Sequence, residues 1–567
     1  MEWKIIRINA RNRAVRKEPV TGEFQMLGGR SFTSRWVFRH VDPEVEPLGS
    51  RNQLVIAPGM LAGTAASSVH RLSVGAKSPL TSGIKESNSG GNVALKLARL
   101  GIKALVLEDR PRDGKWSILI LGKRGPLFDS GADLAGKGTE EEAELLHARY
   151  GKEVGLMVIG PAGEKLYSTA AILNSDRQGY PARLCGRGGM GAVLGSKGIK
   201  AIVVDDSGAE RIPLADEARF KEAARKYAEM LRATPQTSEI YTRYGTAAMV
   251  DVTHALGGLP TKNFSRGRFE GSEKINGRAL YQTIVARGGD PSHSCMPGCI
   301  IRSSNIYVDA EGKPVVRSLE YETIVMFGPN CGIDNLDDLA GINRLCNDIG
   351  VDSIDLGGAV GMAMEAGFLP YGDAAAVKKA LEETRAGTAL GRILGHGGAI
   401  AGKVLGVRRI PAVKGQVMAA YDPRAIKGHG VTFATSTMGA DHTAGFTIRE
   451  GLDPHDRKGQ VEASGRMQVD GMIYDSLGVC LFAHAAVRAH HDVLAEMVNG
   501  RWGMKWRAGD LRDMAICALR EEKEFNRRAG LGAATDRLPE IFSEEENPSS
   551  ATTFDFSPEE LDAIEYK

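Results

Sequence analysis

A change in hydrophobic period at about residue 206 constrains this chain more than any other feature. Before it, WKIIRIN, RWVFRHV, NQLVIAP, KALVLED, WSILILG, VGLMVIG and KAIVVDD are short β-branched runs bounded by Gly, Pro or Asp, the mark of strands. Only NVALKLARL, around Asn92–Leu100, reads as helical among them. Without a steady strand–helix alternation, a mainly β domain of two packed sheets is expected rather than a doubly wound one. From Pro213 onward the pattern turns helical, and LADEARFKEAARKYAEMLR opens on Asp216 as a cap with apolar residues at three- and four-residue spacing. Further helices are expected at 336–348, 353–366, 373–385, 389–405, 482–499 and 509–528, with a second boundary in PAVKGQ near 410–417. At 567 residues the chain exceeds one hydrophobic core. The expected fold is therefore α+β: a β-rich domain over 1–208, then two mainly helical domains over 209–415 and 416–567, with the functional site at their junction.

Charge excludes two classes of partner. Lys plus Arg number 72 against 70 Asp plus Glu, with no basic block, so no field draws nucleic acid or an anionic membrane. Seven cysteines, no signal-like N-terminus and no run of about 18 apolar residues imply a soluble, cytoplasmic protein without a membrane span. The 70 glycines cluster in SNSGGN, GRGGMGAVLGSKG and DLGGAVG, where backbone must approach something closely, and a large buried ligand is the expectation.

PSHSCMPGC places two soft metal ligands, Cys295 and Cys299, in one loop beside Ser292, His293 and Ser294. A Cys-x3-Cys loop cannot complete a four-coordinate site, and Cys480 in DSLGVC is the best distant partner. A Cys3His zinc set with His293 is the competing reading. Of the other thiols, Cys346 and Cys517 fall in helical apolar patterns and read as core, while Cys185 and Cys331 adjoin motifs without needing a role.

HRLSVGAKSPLTSG with SNSGG, then RLCGRGGMGAVLGSKGIKAIVV, LEYETI, GPNCGID, VDSIDLG, FATSTMGADHT and DSLGVCLF follow one another across nearly the whole chain. In that order and spacing they resemble the aldehyde:ferredoxin oxidoreductase family, tungsten enzymes with two pyranopterin dithiolenes and an iron–sulfur cluster. The resemblance implies a tungsten (or molybdenum) bis-pyranopterin at the domain junction, Arg71 between pterin and cluster, and Asn88 and Leu184 carbonyls on a magnesium bridging the pterin phosphates. Gly90 and Arg183 would flank that magnesium, and Asp352 and Asp475 would each bind one pterin, whose amino and ring N–H groups suit a carboxylate acceptor. Taken alone, Asp352 is an ordinary helix N-cap and GRGGMG an ordinary turn.

The family's cluster motif has a further cysteine where this chain has Ser292, which leaves Cys295, Cys299 and Cys480. A 4Fe-4S cluster with one non-cysteine ligand, from Ser292 or His293, or a three-iron cluster would accommodate the change. The chain also stops where the family continues into a Tyr- and Trp-containing tail. The implied reaction is oxidation of a small aldehyde to a carboxylic acid, with electrons leaving through the cluster to a ferredoxin or a small iron–sulfur subunit. His442 matches the active-site histidine, with Glu320 or Glu322 as its acid–base partner and His429 as a weaker candidate. His484, His490 and His491 read as core-edge or surface groups. The same centre could run reductively on a carboxylic acid or aromatic thioester, and loss of a cluster ligand admits a non-catalytic structural relative. Association into a homo-oligomer is compatible with the chain.

Overall fold

The computed structural model describes residues 2–566, which begin with two six-stranded sheets. The first is built from β1 (Lys4–Asn9), β2 (Ala14–Pro19), β3 (Leu54–Pro58), β4 (Leu72–Lys77), β5 (Ile84–Ser89) and β6 (Ile102–Glu108) in the order β2-β1-β6-β3-β4-β5. The second comprises β7 (Ser117–Gly122), β8 (Gly125–Ser130), β9 (Gly155–Val158), β10 (Ile172–Ser175), β11 (Pro181–Cys185) and β12 (Ile199–Asp205) in the order β11-β10-β9-β12-β7-β8. Each sheet is antiparallel except for one central parallel pair, β1 with β6 and β12 with β7. Every expected strand but one is present.

That exception is RWVFRHV, which belongs to the helix α1 (Gly29–His40). Its local alternation mimics a strand, but Phe32, Trp36, Val37 and Val41 repeat with the helical period and are all buried against Ile5, Val55 and Val106 of the first sheet. Besides a single turn at Pro161–Glu164, two further helices interrupt the β-rich region unannounced, α3 (Thr139–Tyr150) and α4 (Met190–Ser196), in addition to the expected α2 (Val93–Arg99). Helices α2 and α4 share one core with the facing sides of both sheets, through Val93, Leu97, Val193 and Leu194. Helices α1 and α3 cover the outer faces. The result is layered helix, sheet, helix, sheet, helix.

Edge strands β5 and β11 abut, joined by a hydrogen bond between Cys185 Sγ and Ser89 Oγ at 3.2 Å. The motif residues SNSGG and RLCGRGG thus lie on two apposed sheet edges, where ladder positions are unpaired.

Beyond the sheets the chain is mainly helical. Helix α5 (Glu217–Ala233) starts at the expected cap, the Asp216 carboxylate accepting from Arg219 N. Helices α6 (Tyr321–Phe327), α7 (Leu336–Ile349), α8 (Ser353–Glu365) and α9 (Ala374–Ala386) follow. The single helix expected over 389–405 is two, α10 (Ala389–Gly395) and α11 (Gly398–Val404), because Gly397 sits at φ +92° between them. Helices α12 (Gln460–Leu477), α13 (His491–Trp502) and α14 (Ala508–Arg528) complete the set used below, α13 being separated from a short turn of helix at His484–Val487.

Several of the clustered glycines are required by close packing within the protein. A Cβ on Gly357 or Gly358 of α8 would meet Met326 or Val417 at 2.8 and 2.6 Å, and one on Gly188 would meet the Lys85 side chain at 2.3 Å. Only Gly90 faces a reactive group, since its Cβ would lie 3.2 Å from Cys295 Sγ. Cys517, read as core, is exposed and accepts a hydrogen bond from Arg35 at 3.1 Å. Among the described residues, no helix is long and apolar enough to cross a membrane.

Candidate active site

Three regions distant in sequence meet around a cavity of about 450 Å³, whose lining includes Arg71, Leu184, Glu320, Glu322, His442 and Cys480. Its walls are aromatic. The Tyr421 ring stands 5.9 Å from the His442 ring and edge-on to Phe446 at 5.7 Å, while Tyr241 stacks on Phe482 at 4.6 Å.

His442 occupies the loop after FATSTMGA, and its place is fixed by its neighbours. Asp441 is wholly buried and receives Lys85 Nζ at 2.5 Å. Burial alone would raise its pKa, but Lys85 and Arg187 hold it far below the usual carboxylate range. Arg187 donates to Ala440 O at 2.6 Å, to Val417 O at 2.5 Å and to Asp352 at 3.2 Å, tying the histidine loop to the start of α8. So held, His442 Nε2 lies 3.4 Å from Glu322 Oε1. Glu322 in turn accepts from Ala420 N at 2.9 Å. Of the two glutamates, Glu322 is therefore the one beside His442; Glu320 is engaged by the hydroxyls of Thr246 at 2.5 Å and Ser304 at 3.4 Å. His429 is fully buried behind Tyr421, and burial with help from His442 lowers its pKa to about 3. His484, expected at a core edge or the surface, lines the cavity 3.5 Å from Asp470.

Arg71 lies between the aromatic cavity and the thiols. It donates to the Asn88 side chain and, at 3.5 Å, to the Asn88 carbonyl, and its charge acts on both Cys480 and Cys295. Ser68 joins the two thiol segments, its carbonyl accepting from Cys480 N at 2.9 Å and its hydroxyl donating to Cys299 Sγ at 3.3 Å. Within the loop, the contact between Cys295 and Cys299 pulls the Cys299 thiol below its ordinary value and, with burial, pushes the Cys295 thiol above it. Burial raises Cys480, against the pull of Arg71.

Ser292 lies in the short strand Asp290–His293, its N–H on Asp290 Oδ1 at 3.0 Å and its carbonyl accepting from Arg302 at 2.7 Å. His293 is held between Asp176 at 3.4 Å and Asp290 at 3.5 Å. Among the described residues, no three His, Cys, Asp or Glu side chains converge on one ion, which counts against the Cys3His zinc set. Cys295, Cys299 and Cys480 are gathered around Ser68 and Arg71, and thiols are the donor type that an iron–sulfur cluster takes.

Asp352 caps α8, accepting from Ile354 N at 2.9 Å, so the ordinary role is filled; its other oxygen takes Arg187. Asp355, one turn on, carries a pKa raised to about 7 by burial and by Asp352. Asp475, near the end of α12, faces Arg30 at 3.7 Å, and burial beside Glu86 holds its carboxyl well above the usual range. Arg183 donates one nitrogen to Ser304 at 2.8 Å. Its Nε and Nη2 are buried without a hydrogen-bond acceptor among the described residues. Buried guanidinium donors left unpaired beside glycine-rich edges call for an anionic ligand, and a phosphate-bearing, hydrogen-bonding group such as a pyranopterin fits that set.

Arg30, Lys85, Glu86, Arg187, Asp355 and Asp441 escaped the sequence reading. The signal was thin: Arg187 sits inside GRGGMG and Asp441 precedes His442, but the charges that pair with them come from remote segments.

Comparison with known proteins agrees with this geometry. Residues 5–206 match the profile described as aldehyde ferredoxin oxidoreductase, N-terminal domain, and residues 222–563 match that for its domains 2 and 3. A tungsten-containing aldehyde ferredoxin oxidoreductase of Pyrococcus horikoshii is 31% identical over 96% of this chain and 92% of its own length. The aliphatic sulfonate oxidoreductase WOR-like subunit of Pyrococcus furiosus is 25% identical over 74% of this chain and 71% of its own. The active-site complex BamBC of benzoyl coenzyme A reductase, solved with 1,5-dienoyl-CoA, shares the fold, with a TM-score of 0.81 at 17% identity over 100% of this chain and 94% of that one. With both halves matched and motifs and fold in agreement, the chain belongs to the aldehyde ferredoxin oxidoreductase family of oxidoreductases.

Proposed function

We propose that this protein oxidises an aldehyde to the carboxylic acid, RCHO + H2O → RCOOH + 2 H+ + 2 e−, at a tungsten (or molybdenum) bis-pyranopterin. When bound, the metal centre and an iron–sulfur cluster supply the two-electron chemistry and its one-electron relay. The observation that carries the reading is the His442–Glu322 contact at 3.4 Å in an aromatic cavity that also reaches Arg71 and Cys480.

Each residue has a role in that reading. Asp352 and Asp475 hold one pterin each. The Asn88 and Leu184 carbonyls would hold a magnesium, with Gly90 and Arg183 beside it, and the Arg183 donors left without a protein acceptor would bind the phosphates of the pterins. Cys295, Cys299 and Cys480 bind the cluster, and Ser292 stands at the fourth position. His442 donates a hydrogen bond to the substrate carbonyl oxygen, polarising the carbon, and exchanges the released proton with Glu322. The aromatic walls exclude bulk water and orient the substrate. Electrons pass to a ferredoxin or a small iron–sulfur subunit, a partner class supported by the names of the relatives.

The test is metal, iron and pterin analysis of protein made in a host that synthesises the cofactor, followed by an aldehyde assay with benzyl viologen as acceptor. About one tungsten or molybdenum per chain and aldehyde-dependent dye reduction are expected. Protein without metal or pterin, or fully loaded protein inert to aldehydes, would sink the proposal.

A further inference from the structure

Among the described residues, two guanidinium groups that line the cavity, Arg71 and Arg449, have no carboxylate within ion-pair distance, while its other ionic side chains are paired or hydrogen-bonded. Glu322 is bound by His442 and Ala420 N, and Glu320 by Thr246 and Ser304. Arg71 is bound by Asn88, Arg488 by Glu450 at 2.9 Å, and His484 by Asp470. Of the two arginines without a carboxylate, Arg449 is the one that stands against an aromatic ring. Its guanidinium donates to the Tyr241 hydroxyl at 3.0 Å, approaches Met249 Sδ at 3.3 Å and lies over the Tyr241 ring at 5.3 Å, with no carboxylate within ion-pair distance among the described residues. It is half-buried and contributes to the cavity lining. A guanidinium drawn partly out of water without a counter-ion is an anion site, because partial desolvation strengthens its attraction for a carboxylate and the planar fork suits one.

Aromatic residues line the same cavity as Arg449 and His442 and define the rest of the ligand. Tyr421, Phe446, Tyr241 and Phe482 present ring faces and edges to the same space, an enclosure for a flat aromatic body. The cavity of about 450 Å³ is lined by Arg71, Leu184 and Cys480 as well as by these aromatic residues, a size within the range that holds a small organic ligand.

We infer that the preferred substrate is an aryl aldehyde carrying a carboxylate, with the aldehyde at His442 and the carboxylate on Arg449. This rests on the aldehyde-oxidising reading and names its substrate class. The redox step is the one already balanced; Arg449 takes no part in it and acts as a specificity residue.

The experiment compares kcat/KM of the holoenzyme for 4-carboxybenzaldehyde, 3-carboxybenzaldehyde and benzaldehyde. At least one carboxylated aldehyde should exceed benzaldehyde by about tenfold or more, mainly through KM. In Arg449→Gln the ratio of carboxylated to plain substrate should fall about tenfold or more, with Arg449→Lys between, in protein whose tungsten and iron contents match the wild type. A wild-type ratio near one, or a ratio unmoved by Arg449→Gln, overturns the inference while leaving aldehyde oxidation standing. Calorimetric titration of the holoenzyme with terephthalate decides the anion site even if no aldehyde turns over. Its Kd should rise at least about tenfold in Arg449→Gln, and no binding or an unchanged Kd refutes the site. If Arg449→Gln loses cofactor, Arg449→Lys and the wild-type ratio still decide the matter.

Discussion

A histidine does proton work only where it is oriented and can be re-protonated, and His442 meets the first condition through Asp441 and the second through Glu322. His442→Ala should lower turnover by about a hundredfold or more with tungsten and iron contents unchanged, since general acid–base help is typically worth about 10²–10⁴-fold. Glu322→Gln should follow it, whereas Glu320→Gln should cost much less; steady-state rates beside metal analysis check all three. The reverse ranking of the glutamates would show the acid–base pair to be wrong. Buried His70 bears on stability instead. It accepts from Gly63 N at 3.2 Å, and burial, aided by Arg99, lowers its pKa to about 4. Between the ordinary value of 6.5 and about 4 the unfolded chain takes up a proton that the folded chain refuses. Stability is therefore full above about pH 6.5 and is lost as the pH falls toward 4. Thermal melts of wild type and His70→Gln across that window should show a shallower decline in the variant.

At the scale of elements, α1 does what its local sequence concealed. It packs on the first sheet and also on α12, where Ser31 N donates to Ser476 Oγ at 3.1 Å. Gly29 makes the approach feasible: its φ is +47°, and a Cβ there would lie 2.0 Å from the Asp475 carbonyl oxygen. Gly29→Ala should then destabilise the protein by more than about 2 kcal/mol, through both the left-handed backbone and the clash. It should also reduce pterin content, because Asp475 would have to move. A variant with wild-type melting temperature and full pterin would show that α12 yields without cost. Strands β5 and β11 illustrate the same point, since the motifs they carry are readable as sequence, but only pairing order makes both of them sheet edges that face each other.

Across the whole molecule, long-range polar contacts hold the first and last parts together. Arg30 in α1 and Glu522 in α14 form a bidentate pair at 2.7 and 3.0 Å, each 1% exposed, with Ser34 and Thr437 also donating to the carboxylate. Removing one member strands a buried charge, so Glu522→Ala should cost about 3–5 kcal/mol and lower the melting temperature, with Glu522→Gln milder. The thiol set spans the chain in the same way. Cys480→Ala should abolish bound iron, and Ser292→Cys should leave a cluster that is equally or more stable, as judged by iron content and visible absorbance. A Ser292→Cys protein that bound zinc in place of iron would reject the cluster assignment.

The sequence by itself determined six of the twelve strands in the two sheets, most long helices, the family-like motif order and the residue types around the site, because period, caps and motif spacing are local properties of the chain. The bounds of α5, α7, α8 and α14 lie within a few residues of those expected from periodicity. Tertiary structure decided what local pattern could not. It made RWVFRHV a helix, since its apolar stripe had a sheet to cover, and it placed Glu322 rather than Glu320 beside His442, since Thr246 and Ser304 take up the other carboxylate. It also turned His293 toward Asp176 and left Arg449 without a counter-ion. The reason is physical: pairing energies between charges depend on distance and burial, and both are properties of segments hundreds of residues apart that meet only in the folded chain.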